Sequence, residues 1–258
     1  MRPRKRFGQH FLHDASVLGD FERCLGLRTE DPVVEIGPGE GALTEVLYDS
    51  VKRYVAIEID RDLVPFLRAR FDRLELHEGD ILKFDLADAL GDEGPAWRVV
   101  GNLPYNISSP LLEKLMFMLV SGTVQVKDMQ FMLQREMAQR LYAHPSTKAW
   151  GRLSVLVQAV CEVDELFDVS PDAFRPPPKV WSSVIRLRPR AKMPTAEQLS
   201  QLQQVVRVAF SARRKTLSNA LKSLELDLAE LGIEPSRRAD DLSVAEYQAI
   251  STAAQTKK

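Results

Sequence analysis

Val33-Val34-Glu35-Ile36-Gly37-Pro38-Gly39-Glu40-Gly41 decides the fold. A short, mostly apolar run is followed by three glycines at alternate positions and then by an apolar periodic segment, Ala42 to Tyr48. That order predicts a strand, a glycine-rich turn and a helix. Working outward, Tyr54 to Ile59 predicts a second strand and Leu63 to Phe71 a helix. Leu74 to His77 predicts a third strand, ending at Gly79-Asp80. Arg98 to Gly101 begins a fourth strand, closed by Asn102-Leu103-Pro104-Tyr105. Ser108-Ser109-Pro110 opens a helix with a hydroxyl cap and a proline just inside it. Met129 to Leu133 predicts a fifth strand, and Arg135 to Tyr142 and Val155 to Val160 predict helices. Phe167 to Val169 and Val184 to Leu187 suggest two late strands with no clear helix between them, as in an antiparallel hairpin at one sheet edge.

Strands that alternate with helices make an α/β fold with a mostly parallel, doubly wound sheet. After Pro189 the pattern changes: Glu197 to Phe210, Lys215 to Leu224, Asp227 to Leu231 and Val244 to Ala254 all suggest helices, with Gln255 to Lys258 as a frayed tail. The expected organisation is a catalytic domain over residues 1–190 and a small all-helical domain over 191–258.

A chain of 258 residues that is 45% hydrophobic can bury a core in one large and one small domain. Cys24 and Cys161 lie far apart and offer neither a disulfide framework nor a zinc spacing. Two isolated cysteines fit a reducing compartment. The longest apolar segment, Leu111 to Val120, is interrupted by Glu113 and Lys114, so a cytoplasmic protein without membrane spans is expected. The net charge is -1, which by itself does not point to nucleic acid. Its distribution does. From Ala173 to Leu224 there are eleven bases and one acid, Glu197. Arg2, Arg4, Lys5 and Arg6 add a second basic cluster. Such asymmetry predicts a polyanion-binding face.

Open parallel sheets bind ligands at the carboxyl ends of their strands. Gly37, Gly39 and Gly41 follow strand one, where glycines permit a sharp turn and close approach to a ligand. Glu58 ends strand two, 21 residues after Gly37, and can accept both hydroxyls of a ribose. Asp80 follows strand three and can accept an exocyclic amine of adenine. These features alone suit nicotinamide enzymes equally well. The fourth strand end separates the two readings. Asn102-Leu103-Pro104-Tyr105 matches the Asn/Asp-x-Pro-aromatic pattern of amine methyltransferases, and therefore implies S-adenosylmethionine. The adenine amine is a poor, nearly planar nucleophile. The Asn102 side-chain oxygen and the Leu103 carbonyl can each accept one of its hydrogens, Pro104 fixes the turn, and Tyr105 can stack on the base. Phe174, in Ala173-Phe174-Arg175-Pro176-Pro177-Pro178-Lys179, is a candidate second stacking ring between two bases, Arg175 and Lys179. His10 and His13 lie three apart near Asp14, but no third strong ligand is nearby, and no metal is expected.

The chain resembles the bacterial small-subunit ribosomal RNA adenine dimethyltransferases, the KsgA/RsmA family, nearly end to end. The resemblance rests on Arg4 to Leu12, Val34 to Gly39, Gly101 to Ser108, Gln134-Arg135-Glu136, Gly151 to Ser154, Phe174 to Val180 and Arg213 to Leu217. It implies a Rossmann-like class I methyltransferase domain. It also implies two methyl groups on the N6 amine of each of two adjacent adenosines near the 3′ end of 16S rRNA, within an immature 30S subunit, by a monomeric enzyme. By the same resemblance Gln9, His10 and Leu12 line the cofactor pocket with Gly37, Gly39, Glu58, Asp80 and Asn102. Position 10 is often Asn in the family. Arg4, Lys5, Arg6, Arg175, Lys179, Arg213, Arg214 and Lys215 are the expected RNA contacts. The related large-subunit type that confers macrolide resistance is disfavoured by the Phe-x-Pro-Pro-Pro-Lys-Val and Gly-Arg-Leu-Ser runs taken together. A DNA adenine methyltransferase and a non-catalytic assembly checkpoint are the remaining alternatives, and the intact tetrad argues for catalysis.

Overall fold

A computed structural model of the chain describes residues 10–91 and 94–256. In chain order the elements are β1 (Phe11–Leu12), α1 (Ala15–Leu25), β2 (Val33–Ile36), α2 (Ala42–Leu47), β3 (Tyr54–Glu58), α3 (Val64–Arg70), β4 (Glu75–Glu78), α4 (Leu86–Leu90), β5 (Trp97–Asn102), α5 (Ser108–Ser121), β6 (Val126–Gln134), α6 (Arg135–Tyr142), α7 (Arg152–Val160), β7 (Cys161–Val169), β8 (Phe174–Arg175), β9 (Ser182–Pro189), α8 (Ala196–Ser211), α9 (Leu217–Ala220) and α10 (Val244–Thr256). Seven strands form one sheet in the order β4-β3-β2-β5-β6-β9-β7. The pairs from β4 through β6 are parallel, and β9 runs antiparallel to β6. Central strands covered on both faces are nearly continuously apolar rather than alternating. Accordingly β2 and β3 are buried at every position.

The two late strands are neighbours at the sheet edge, as expected, but β9 is the inner of the two. Four elements were not legible in the sequence: α1, α4, and the small pair made by β1 and β8. α1 is nevertheless well marked. The Asp14 carboxylate accepts the N–H groups of Ser16 and Val17, and Gly26 closes the helix in the left-handed region. Its carbonyls at the C-terminal end are held by the sheet. Gln130 Nε2 donates to Phe21 O (2.7 Å), Arg98 Nη2 to Leu25 O (2.6 Å), and Arg186 to Cys24 O. Arg98 is itself buried and paired with Asp31 at 2.9 Å and with Asp128. Burying a guanidinium requires such partners. The cluster fastens α1 to the sheet, and α1 follows directly on β1 at the rim of the site.

The chain divides into two compact units, one of residues up to Ala138 together with Val163–Pro189, the other of Gln139–Glu162 with Arg190–Lys258. The second unit thus joins Gln139–Glu162 to the chain after Pro189. The reason is packing. α7 presents Leu153, Leu156 and Val160 as buried side chains and contacts α8 and α10. The helix expected over Lys215 to Leu224 is α9 followed by a 3-10 turn, Lys222–Leu224. Asp227 to Leu231 is a turn. The Asp227 carboxylate accepts Ala229 N–H, and Gly232 takes a positive φ of 69°. So short a segment gains too few hydrogen bonds to repay helix nucleation. α10 extends past Ala254 to Thr256. Among the described residues, no helix is long and apolar enough to cross a membrane.

Candidate active site

The carboxyl ends of β2, β3 and β5, the Gly79-Asp80 turn after β4, and the β1 segment surround a cavity of about 220 Å³. One water needs roughly 10–15 Å³ of such space, so the cavity has room for a nucleoside-sized ligand. His10, Leu12, Gly37, Gly39, Glu58, Asp80, Asn102, Leu103, Pro104 and Tyr105 all line it. Gln9, Arg4, Lys5 and Arg6 lie outside the described residues.

The glycine turn is shaped by its own hydrogen bonds. Gly37 N–H donates to Ile57 O at 2.9 Å, and Gly39 N–H donates to Glu58 Oε2 at 3.0 Å. Gly39 sits at φ +61°, and a β-carbon there would lie 3.3 Å from the Phe11 ring. At Gly101 the demand is closer still, since a β-carbon would stand 2.7 Å from Ile36 O. Glycine at 101 therefore lets β5 draw against β2 just before Asn102. Glu58 is 3% exposed, and burial raises its carboxyl pKa. Its Oε1 accepts Asp60 N–H at 2.8 Å. A carboxylate offers about four acceptor positions, so room remains for a diol after these two bonds. Asp80 Oδ1 accepts Leu82 N–H at 3.0 Å, and its other oxygen accepts no hydrogen bond from the described residues. This chemistry fits the ribose and adenine amine of S-adenosylmethionine.

The tetrad is held from three sides. Asn102 Nδ2 donates to the His10 carbonyl at 3.1 Å, which leaves Oδ1 as the acceptor. Leu103 is fully buried and its N–H donates to Met132 O at 3.0 Å. Pro104 O is taken by Ile107 N–H (3.1 Å) and Ser108 Oγ–H (2.9 Å). The Leu103 carbonyl, by contrast, accepts no hydrogen bond from the described residues. The Tyr105 hydroxyl lies 3.2 Å from Ser182 Oγ, and burial raises its pKa. His10 stacks on Tyr105, and His10 Nδ1 is 2.6 Å from Pro176 O. β1 pairs with β8 in the register Leu12↔Phe174, so residues more than 160 positions apart meet behind the β1 segment that lines the cavity.

Phe174 requires a correction. It is 2% exposed, belongs to the hydrophobic cluster with Leu12, Met132 and Val184, and does not line the cavity. Its strand pairing turns the ring into the core, so no face is presented for stacking. The basic stretch is also reshaped. Arg213 donates to Asp240 at 3.3 Å and to Lys148 O, which gives it structural partners. Arg186, Arg188 and Arg190 pair with Asp128, Asp164 and Glu162. Arg175, Lys179, Arg214 and Lys215 are exposed. Among the described residues no group of three or more His, Cys, Asp or Glu side chains could hold a metal.

Ile59 and Glu35 are among the lining residues that the sequence reading did not single out. Ile59 remains 43% exposed at the cavity. Glu35 is buried, its Oε2 accepting Thr44 Oγ1–H (2.6 Å) and Tyr54 O–H (2.8 Å), and burial raises its carboxyl to about 7. A carboxylate inside an otherwise apolar parallel strand was the available signal.

The profile of the family described as ribosomal RNA adenine dimethylase matches residues 1–256. A ribosomal RNA small subunit methyltransferase A from Pseudomonas aeruginosa is 48% identical over 254 residues, covering 95% of this chain and 92% of that protein. Its counterpart from Methylococcus capsulatus is also 48% identical, covering 96% of both chains. A dimethyladenosine transferase structure from Plasmodium falciparum superposes with a TM-score of 0.79 at 25% identity, covering 96% of this chain and 98% of that one.

Proposed function

We infer that this chain, an enzyme that belongs to the ribosomal RNA adenine dimethylase family, uses S-adenosylmethionine to dimethylate adenine N6 in small-subunit rRNA. By the family resemblance the targets are two adjacent adenosines near the 3′ end of 16S rRNA, presented by an immature 30S subunit to a monomeric, cytoplasmic enzyme.

One observation carries the reading. At the cavity wall the Asn102 amide nitrogen is engaged by the His10 carbonyl, so Oδ1 is left as an acceptor beside the uncommitted Leu103 carbonyl. Two acceptors at a strand end match the two hydrogens of one exocyclic amine. Holding both hydrogens orients the nitrogen lone pair and favours the pyramidal geometry of a nucleophile. When bound, S-adenosylmethionine supplies a methyl group on a sulfonium, an electrophile that requires no prior deprotonation of the amine. Glu58 and Asp80 would hold its ribose and adenine, and the Gly37–Gly39 turn admits it without a side chain in the way. Tyr105 offers its ring to the extracted base, and one stack, worth about 1–3 kcal/mol, offsets much of the few kcal/mol that extraction costs. Arg175, Lys179, Arg214 and Lys215 are the exposed cations proposed to meet phosphates.

The test is to incubate the protein with methyl-labelled cofactor and, separately, precursor 30S particles, 50S particles and DNA, and to map the label. Label on N6 of two adjacent adenosines of 16S rRNA, from the precursor alone, is expected. Label confined to 50S particles or DNA overturns the substrate assignment.

A further inference from the structure

The chain has three tryptophans. Trp97 and Trp150 are 3% and 1% exposed, as large aromatics in a core should be, but Trp181 is 47% exposed beside Val180 at 44%. An adjacent pair of large exposed apolar side chains is more informative than a scattered one. Its location gives it meaning. β9 runs antiparallel to β6, with Ser182 opposite Gln134, so the start of β9 lies at the end of the sheet where β5 delivers Asn102. Ser182 Oγ is 3.2 Å from the Tyr105 hydroxyl, and Trp181 is the residue next to it. Neighbouring Cα atoms are about 3.8 Å apart, so the Trp181 backbone stands one residue from the tetrad's support. The Trp181 backbone is fixed, its carbonyl accepting Arg135 N–H at 2.9 Å. The preceding loop carries exposed Arg175 and Lys179, and the Arg135 side chain is 49% exposed.

We propose that Trp181 is a stacking platform for a nucleobase flanking the target adenosine, with Arg175 and Lys179 meeting the phosphates around it. This rests on the reading of RNA as substrate. Extracting one base from a stack uncovers a face of its neighbour, and an indole beside the site can cover that face. Stacking tolerates any base, and cations at the rim match the phosphate charge. The two cations at its edge, which have no ion-pair partner among the described residues, favour a polyanion over a protein surface.

The experiment has two parts. Because the other two indoles are buried, exposed-tryptophan emission reports on Trp181. Titration with a short single-stranded RNA copying the 3′ end of 16S rRNA should quench that emission in the wild type and leave Trp181→Phe unaffected. In parallel, steady-state methylation of precursor 30S particles by Trp181→Ala should show KM raised about 5- to 150-fold, the range of one base stack. Its kcat and cofactor affinity should stay near wild type, and Trp181→Phe should recover most of the loss. Unquenched emission together with a wild-type KM in Trp181→Ala overturns the proposal. So does a wild-type dimer that Trp181→Ala converts to monomer, which would assign the patch to a second copy of the chain. If the wild type is quenched by RNA yet fails to methylate the precursor, the functional reading falls and the stacking platform stands.

Discussion

The His10 ring lies against the Tyr105 ring, with centroids 5.6 Å apart and planes inclined by 29°. Both residues line the cavity, so the imidazole covers part of the face on which a target adenine would stack. Such a ring pair is worth about 0.5–1.5 kcal/mol, and a base that displaces it forfeits that amount, up to about tenfold in affinity. His10→Asn keeps the backbone carbonyl that holds Asn102 and removes the ring. It is expected to lower KM for precursor 30S particles by up to about tenfold with kcat little changed. A raised KM in steady-state assays would show instead that the imidazole helps to hold the base.

Asn102 is expected to carry the largest effect on chemistry. Asn102→Ala removes Oδ1 and leaves one amine hydrogen without its acceptor, a loss of about 3–4 kcal/mol at the transition state, or 100- to 1,000-fold in rate. Asn102→Asp keeps an acceptor but loses the donor to the His10 carbonyl and sets a carboxylate against it. It should therefore remain impaired and bind cofactor more weakly, while exceeding Asn102→Ala in rate. Single-turnover methylation with particle binding followed in parallel decides this. Near-normal methylation by Asn102→Ala would remove Asn102 from the mechanism.

Glu35 makes stability depend on pH. Its carboxyl is raised by burial from 4.5 to about 7. The folded state then binds the proton more tightly than the unfolded chain. Glu35 therefore contributes stability at low pH that is lost as pH rises from about 4.5 to about 7 and stays lost above. Glu35→Gln imitates the protonated form at every pH. Urea unfolding of both proteins at pH 5 and pH 8 should show the wild type losing ground to the variant at the higher pH. A constant difference between the two would mean that Glu35 does not titrate in that window.

Arg213 and its two neighbours should separate by function. The Arg213 pair with Asp240 is part-exposed and worth about 0–1 kcal/mol, so Arg213→Ala should lower the melting temperature slightly and leave the salt dependence of RNA binding unchanged. Arg214→Ala and Lys215→Ala should each reduce the slope of log affinity against log salt by about one, with stability unchanged. Equal slopes in all three variants and the wild type would take this cluster out of the RNA interface.

Phe174 is expected to act through the core. Phe174→Ala should cost about 3–5 kcal/mol of stability, as truncation of a buried aromatic does. Phe174→Leu should retain most of the packing and, with it, turnover. Thermal unfolding and methylation rates of the two variants check this. A Phe174→Leu protein that is stable but slow would return the ring to the substrate side.

The sheet and the tetrad were legible because their signals are local. A parallel strand buried on both faces needs a mostly apolar run, a ligand turn needs glycine, and an Asn-x-Pro-aromatic run needs only four consecutive residues. The basic stretch from Ala173 to Leu224 was equally visible as a count of charges. What pairs with what was not visible. Arg186, Arg188, Arg190 and Arg213 are met by acids 24 to 58 positions away, so the fold neutralises part of a stretch that looks uniformly cationic. Phe174 looked available beside two bases until its pairing with Leu12 turned it inward. Gln139–Glu162 joined the helical unit because α7 has its apolar partners there, a matter of long-range packing that no local pattern encodes. Sequence alone determined which groups are present and which of them stand at strand ends. Tertiary structure decided which remain free, because hydrogen bonds and burial act across space between residues that the chain keeps far apart.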